Sequence, residues 1–348
     1  MSFIDATRQN FTELPSQAYS SGGKLYFTLP KVGLLSRLFL TISGAMTVTL
    51  DAGTAAISER TLFNLIKRIR LVANGGTSIY DVSGFGTYLI NHLLRKGMTP
   101  ATSLIDRGIG TDVYAAGVSA GANAWKGVLE IPIAINEKYP IGMVLLQKYA
   151  TQLMLEVELN AEAGANDILA PIVVASGATA AFVGNIGAVM EYFTIPRDTK
   201  DYPPLNVIHQ WVEQLDSISS TGVFTKSLLR GNTYMRLVHT LTLANKLDTT
   251  DIDKLRILYN QTEVPYTISK LPQLALQRSR YGIDLPKGMF VHDWYMSNGL
   301  VGLGNTRDFI NSANVTEFQT ELTVNSGATV TAGQSFVGTI SEQLIKIA

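Results

Sequence analysis

Few side chains in this chain of 348 residues have the type and spacing that catalysis needs. Gly117 to Gly121 reads GVSAG, the G-x-S-x-G pattern in which Ser119 would be a nucleophile on a strained strand-to-helix turn. Its flanks, VYAA and ANAW, predict no strand before it and no helix after it. A flexible or interface loop is therefore the favoured reading, with a serine esterase as the rival. His92, His209, His239 and His292 are scattered, and none has the i, i+4 partner and glutamate of a helical zinc site. His292 and Asp293 are neighbours in a predicted strand, so they face opposite sides and are wrongly placed for a dyad. Asp248, Asp251 and Asp253 offer carboxylates to a hard cation such as calcium, but lack the order and central glycine of an EF-hand loop. A capped, solvated turn accounts for them. GLVGLGNTR (299 to 307) supplies backbone amides without the Gly-Lys-Ser/Thr of a phosphate loop. Lys67, Arg68 and Arg70 fit a solvated strand face better than a nucleic-acid patch. The N-x-[ST] matches at Asn10, Asn260 and Asn314 mean little without a secretory route. We expect no catalytic residue, no metal and no cofactor.

Composition points the same way. Lysine plus arginine equals aspartate plus glutamate at 28 each, so nothing draws the chain as a whole to nucleic acid or anionic lipid. Only 16% of residues are charged and 46% are hydrophobic. With so little charge to cover the surface, large subunit contacts are expected. There are no cysteines, which excludes disulfides and thiolate chemistry and fits assembly in a reducing cytosol. The start, MSFIDATRQNFTELP, lacks the basic n-region of a signal peptide. Ile168 to Met190 is uncharged and long enough to span a bilayer, but Pro171, Gly177, Gly184 and Gly187 interrupt it. Buried strands plus a loop are expected there.

The elements that carry these residues are arranged twice. IRLVANGGTSIYDVSGFGTYLINHLLRKG (69 to 97) returns as LRILYNQTEVPYTISKLPQLALQRSRYG (255 to 282). Arg70, Asn74, Tyr80 and Ser83 match Arg256, Asn260, Tyr266 and Ser269 at a constant offset of 186. WKGVLEIPIAIN (125 to 136) is echoed by PKGMFVHDWYMSN (286 to 298), and YATQLMLEVELN (149 to 160) by NVTEFQTELTVN (314 to 325). The offsets are then 161 and 165, so a loop shortens by about 25 residues in the second copy, and a repeat this long is a duplicated domain. In each copy a hairpin is predicted (Asn74-Gly75 in the first), followed by a helix opened by Ser83 or Ser269. Ser58 is a plausible N-cap for a short helix carrying Leu62, Phe63 and Ile66, and Gly44 is expected to break the long strand at 34 to 50. Each half holds roughly eight strands with helices only as inserts, which predicts an all-β chain of two eight-stranded jelly rolls. The expected division is a polar N-terminal arm at 1–23, a first jelly roll at 24–197, a linker at 198–206 and a second jelly roll at 207–348. The arm reads as tied down by something outside its own core.

FTLPKVGLLSRLFLTISG near the start and TRDFINSANVTEFQTELTVN (306 to 325), with the tandem barrels, resemble the double jelly-roll major capsid proteins of the tectivirus and adenovirus lineage. The length is closer to the tectivirus-like members than to the much larger hexons. The resemblance implies a homotrimer whose six barrels make a pseudo-hexagonal block. Such blocks tile an icosahedral virion shell over an internal membrane, beside penton or minor capsid proteins, without direct contact with nucleic acid. It makes the loops at 98 to 124 and 161 to 178 candidates for trimer contacts or an outward tower, and the arm a candidate for membrane contact. A jelly-roll carbohydrate- or ligand-binding module is the alternative, although Trp125, Trp211 and Trp294 are too dispersed in sequence to outline its site.

Overall fold

The computed structural model describes residues 3–51, 53–94, 120–136, 140–147, 152–175, 177–260, 263–282, 284–295 and 309–346. The chain forms two compact units. One holds the chain up to Val212 and takes in Lys346; the other runs Glu213–Ile345.

The first is built on β1 (Gln9–Ala18), β2 (Lys24–Thr28), β3 (Leu34–Leu50), β4 (Ile66–Ala73), β5 (Thr77–Val82), β6 (Gly121–Pro132), β7 (Leu153–Leu159) and β8 (Ala178–Phe193). Helix α1 (Gly84–Leu94) lies between β5 and β6. The sheets run β1-β8-β3-β6 and β5-β4-β7-β2.

The second is built on β9 (Val207–Ser217, its first six residues clustering with the first unit), β10 (Gly222–Ser227), β11 (Thr233–Leu243), β12 (Ile252–Tyr259), β13 (Glu263–Ser269), β14 (Met289–Asp293), β15 (Phe318–Val324) and β16 (Phe336–Lys346). Helix α2 (Lys270–Tyr281) lies between β13 and β14. Its sheets run β9-β16-β11-β14 and β13-β12-β15-β10, the same order with every strand advanced by eight. Two facing sheets of this order are a jelly roll. The chain is an all-β double jelly roll with inserted helices.

The offsets read from sequence reappear as register. Ile69 pairs with Val82 and Val157, and its repeat counterpart Leu255 pairs with Ile268 and Leu322. Asn74 and Asn260 both hold a left-handed backbone, φ 51° in each. The Asn74 side chain accepts the Gln152 N–H at 2.9 Å and that of Asn260 accepts the Thr316 N–H at 2.7 Å, so the asparagines pin the chain just before β7 and β15. Tyr80 donates to Thr87 at 2.8 Å, and Tyr266 to Gln273 at 2.6 Å, locking each hairpin to its helix. β7 and β15 bury every second side chain, as their apolar alternation requires.

Three local expectations are corrected. Residues 9–18 are tied down within their own unit: β1 pairs antiparallel with β8 along nearly its whole length. Such a strand hides from a sequence scan because only Leu14 of its ten side chains is buried. Ser58 does not cap the short helix. Thr61 does, accepting the Phe63 N–H at 3.3 Å, while Ser58 donates to Ile168 O at 2.7 Å. Nor does Gly44 break its strand, since β3 runs through it with Gly184 opposite. A Cβ on Gly44 would meet Val183 O at 2.4 Å and the Phe182 ring at 2.7 Å, so the glycine makes room for an aromatic ring. The uncharged stretch at 168 to 190 folds as strand Ile172–Val174 and most of β8. Among the described residues no helix is long and apolar enough to cross a membrane.

Candidate functional site

Polar side chains buried in a β-sandwich need partners, and both units gather theirs at the same place. β11 carries Arg236, with a side chain only 1% exposed. Its Nη1 lies 2.8 Å from Glu342 of β16, and its Nε 3.2 Å from Asp293 of β14. Tyr281, at the end of α2, donates to the other Asp293 oxygen at 2.6 Å. The Arg236 guanidinium lies 5.1 Å from the Tyr295 ring centre. Burial works against the Arg236 charge, but Asp293 and Glu342 outweigh it and its pKa is raised. Burial, and then the Asp293 charge, push the Tyr281 phenol upward as well.

The first unit has the counterpart. Arg37 of β3 lies 3.0 Å from Glu191 of β8 and 3.2 Å from Glu130 of β6. Arg37 sits opposite Glu191 and Pro132, just as Arg236 sits opposite Glu342 and Asp293. Each jelly roll thus carries an arginine on its third strand, clamped by carboxylates from the strands on either side. Sequence reading missed both, because loops of unequal length give the arginines one spacing and their glutamate partners another.

A second device is also duplicated. Asn91 of α1 accepts the Glu130 N–H at 2.8 Å and donates to Glu130 O at 2.6 Å. Its counterpart Gln277, at the offset of the hairpins, accepts the Val291 N–H at 3.0 Å and donates to Met289 O at 3.3 Å. Gln273 adds a bond to Val291 O at 2.6 Å. A buried carboxamide thus stands in for a neighbouring strand, which β6 and β14 lack on that side among the described residues.

His239 and His292, far apart in sequence, meet in the second unit with ring centres 5.5 Å apart. Thr320 lies 3.0 Å from His239 Nε2, and the Tyr266 and Trp294 rings flank His292. Burial pushes the His239 pKa down to about 4. Burial, then the charges of His239 and Arg280, hold that of His292 well below the usual value. Both rings are therefore neutral at pH 7. The unfolded chain takes up these protons near pH 6.5 and the folded chain does so only at much lower pH. Stability should therefore fall as pH drops from about 6.5 towards 4, by about 1.4 kcal/mol per pH unit for each histidine. His239→Gln should remove about half of this histidine-linked fall in the urea midpoint, and an unchanged pH slope would sink the assignment.

The remaining candidates are placed as follows. His292 and Asp293 point to opposite faces, one to the aromatic cluster and the other to Arg236. His92 is buried on α1, and His209 lies 3.1 Å from Ile133 O. Asp248 caps its turn through the N–H groups of Thr250 and Asp251, at 2.7 and 2.6 Å. Asp253 accepts from Asn325 at 3.1 Å. Lys67 pairs with Glu158 at 2.8 Å, while Arg68 and Arg70 share Asp81, so this basic run is neutralised across the sheet. Trp125 packs with Phe63 and Phe182, Trp211 beside His209, and Trp294 on His292, in separate clusters. Asn10 lies on β1, Asn260 at its hairpin and Asn314 in a single 3-10 turn. Among the described residues no group of three or more histidine or carboxylate side chains is placed to hold a metal. Ser119 and the glycine-rich run at 299–307 lie outside the described residues.

Among the described residues, what remains bare is a surface of the second unit. In α1 every residue from Gly84 to Leu93 is buried, whereas α2 buries only Gln273, Gln277 and Tyr281. Phe85 is 1% exposed and its counterpart Leu271 is 73% exposed. Phe63 stacks on Tyr88 of α1, 5.6 Å between centres, and Arg60 lies over Phe85. The second unit has a groove of about 510 Å³ beside α2, lined by Leu271, Leu274, Leu285, Pro286 and Met289 together with the polar Thr249, Gln277, Arg278 and Asp284.

No protein-family model matches the sequence, and no curated protein matches it either. Solved structures do. The major capsid protein of Sulfolobus turreted icosahedral virus superposes with a TM-score of 0.70 at 15% identity, over 97% of both chains. The PBCV-1 virus capsid gives 0.62 at 11% identity, over 97% of this chain and 95% of that one. The major capsid protein P2 of bacteriophage PM2 gives 0.57 at 8% identity, over 98% of each.

Proposed function

We propose that this chain is a viral major capsid protein that acts without catalysis, as a homotrimer whose six jelly rolls form a pseudo-hexagonal block in an icosahedral shell. The observation that carries the reading is the match of both jelly rolls, end to end, to a capsid protein over 97% of each chain. Its mechanism is geometric: blocks with complementary edges tile a surface, and stability comes from buried apolar area and sheet pairing. A zero formal net charge and a charged share of 16% suit lateral burial better than contact with a genome. Obligate interfaces of this kind bury on the order of 2,000–5,000 Å². The same reading includes residence in the virion after assembly in a host cytoplasm. Penton or minor capsid partners, and an internal membrane reached through residues before β1, belong to it too.

Light scattering on the purified protein tests it. The expected mass is three times that of the 37.8 kDa subunit, with a hexagonal outline in negative stain. A stable monomer at high concentration would overturn the trimer.

A further inference from the structure

We propose that the bare face of the second unit, the outer edge of β13 with α2, is the seat of β1 from a second copy of this chain. The proposal rests on the trimer reading and names the surface that closes it.

The duplication supplies the argument. In the first unit the outer edge of β5 is not open. Val207–Val212, which cluster with that unit, bring Trp211 and Val212 parallel beside Tyr80 and Asp81. Those residues are the start of β9, the strand that opens the second jelly roll. The counterpart of β5 is β13, whose outer edge has no strand along it among the described residues. The counterpart of β9 is β1: each is the first strand of its jelly roll and lies beside the last, β8 or β16. The position that β9 fills on β5 is therefore the position a β1 would fill on β13. Among the described residues β1 pairs only with β8, and no strand pairs along its other edge, so the missing strand comes from another copy.

The side chains agree. β1 turns Phe11, 56% exposed, and Glu13 to the same side. β13 and α2 present Val264 and Leu271, 43% and 73% exposed. Helix α2, KLPQLALQRSRY, carries no acid; Arg278 pairs with Asp284 at 3.5 Å and Arg280 turns to Asp293 O, so the charge of Lys270 is the one that complements Glu13. The groove that starts at Leu271 is lined by Thr249 and Leu274, which stand at the offset of 186 from Phe63 and Tyr88, the stacked pair of the first unit, so a threonine holds the position of an aromatic ring. Phe11 is the ring that an incoming β1 would offer. A head-to-tail contact of this type closes into a ring when its rotation allows.

The absence of cysteine makes the test clean. Phe11→Cys and Leu271→Cys chains are co-expressed and treated with a short bis-maleimide, with Val223→Cys on β10 replacing Leu271→Cys as the control. The expected result is a band at twice the subunit mass of 37.8 kDa for Phe11 with Leu271 and none for the control. Leu271→Glu should lower the mass in light scattering from that of three subunits to that of one, 37.8 kDa, while an unchanged β-sheet circular dichroism spectrum shows that the separated subunit is still folded. If the protein is a trimer but the Phe11–Leu271 pair does not crosslink, or crosslinks no better than the control, this seat is wrong and the capsid reading stands. If the wild-type protein is a monomer, both fall.

Discussion

Arg236→Ala should destabilise the second unit by about 3–5 kcal/mol, because it leaves Asp293 and Glu342 facing each other without a cation in a dry core. In a unit of this size that corresponds to a fall in Tm on the order of 10 °C. Two comparisons identify the cause. Arg37→Ala in the first unit removes the same kind of clamp, but the Arg37 side chain is 23% exposed and water can reach the carboxylates left behind. Its loss should be clearly smaller. Replacing Arg236, Asp293 and Glu342 together by apolar residues of similar volume should recover most of the stability, since no unpaired charge remains. A stability for Arg236→Ala within about 1 kcal/mol of wild type would mean that water enters this cluster after all.

Asn91→Leu keeps much of the side-chain volume and removes both hydrogen bonds to Glu130. A buried N–H and a buried C=O then have no partner, each costing about 1–3 kcal/mol, for a total of about 2–6 kcal/mol. Amide exchange at Glu130 should speed up well beyond the global change, which distinguishes the lost clamp from a general loss of packing. The conservative Asn91→Gln, which carries the carboxamide found at Gln277, should recover part of the loss. Equal exchange at Glu130 in wild type and Asn91→Leu would refute the clamp.

The duplication was legible because some of its signals are identities at fixed spacing. Asn74 and Asn260 keep a left-handed turn, and Tyr80 and Tyr266 keep a hydrogen bond to their helix, so the residue type itself was retained. Asn91 and Gln277 share the offset and the task but differ in length, and an identity search passes over them. The arginine clamps were hidden for another reason. Their members come from three strands joined by loops that changed length independently, so no single offset aligns them. Ser83 and Ser269 show the opposite failure. Both are serines at the predicted caps, yet only Ser83 uses its side chain, accepting the Gly86 N–H at 2.9 Å. β1 was misread because an edge strand with one buried side chain in ten has no apolar alternation to find. His239 and His292 were judged scattered because cross-strand proximity leaves no trace in linear spacing.

The neutralised charges on β4 bear on how the chain avoids assembling itself wrongly. Two domains that share one register invite exchange of strands while both are folding. At home, Lys67, Arg68 and Arg70 meet three carboxylates, those of Asp81, Glu156 and Glu158. On the strands of the other unit, the matching positions are Thr267, Glu321 and Thr323, which offer one. A β4 that strayed onto β13 and β15 would keep its apolar fit and lose most of its electrostatic match. Cross-strand pairs of this kind are each worth only about 0.2–1 kcal/mol, too little to hold a fold together, but a choice between two otherwise alike partners needs no more.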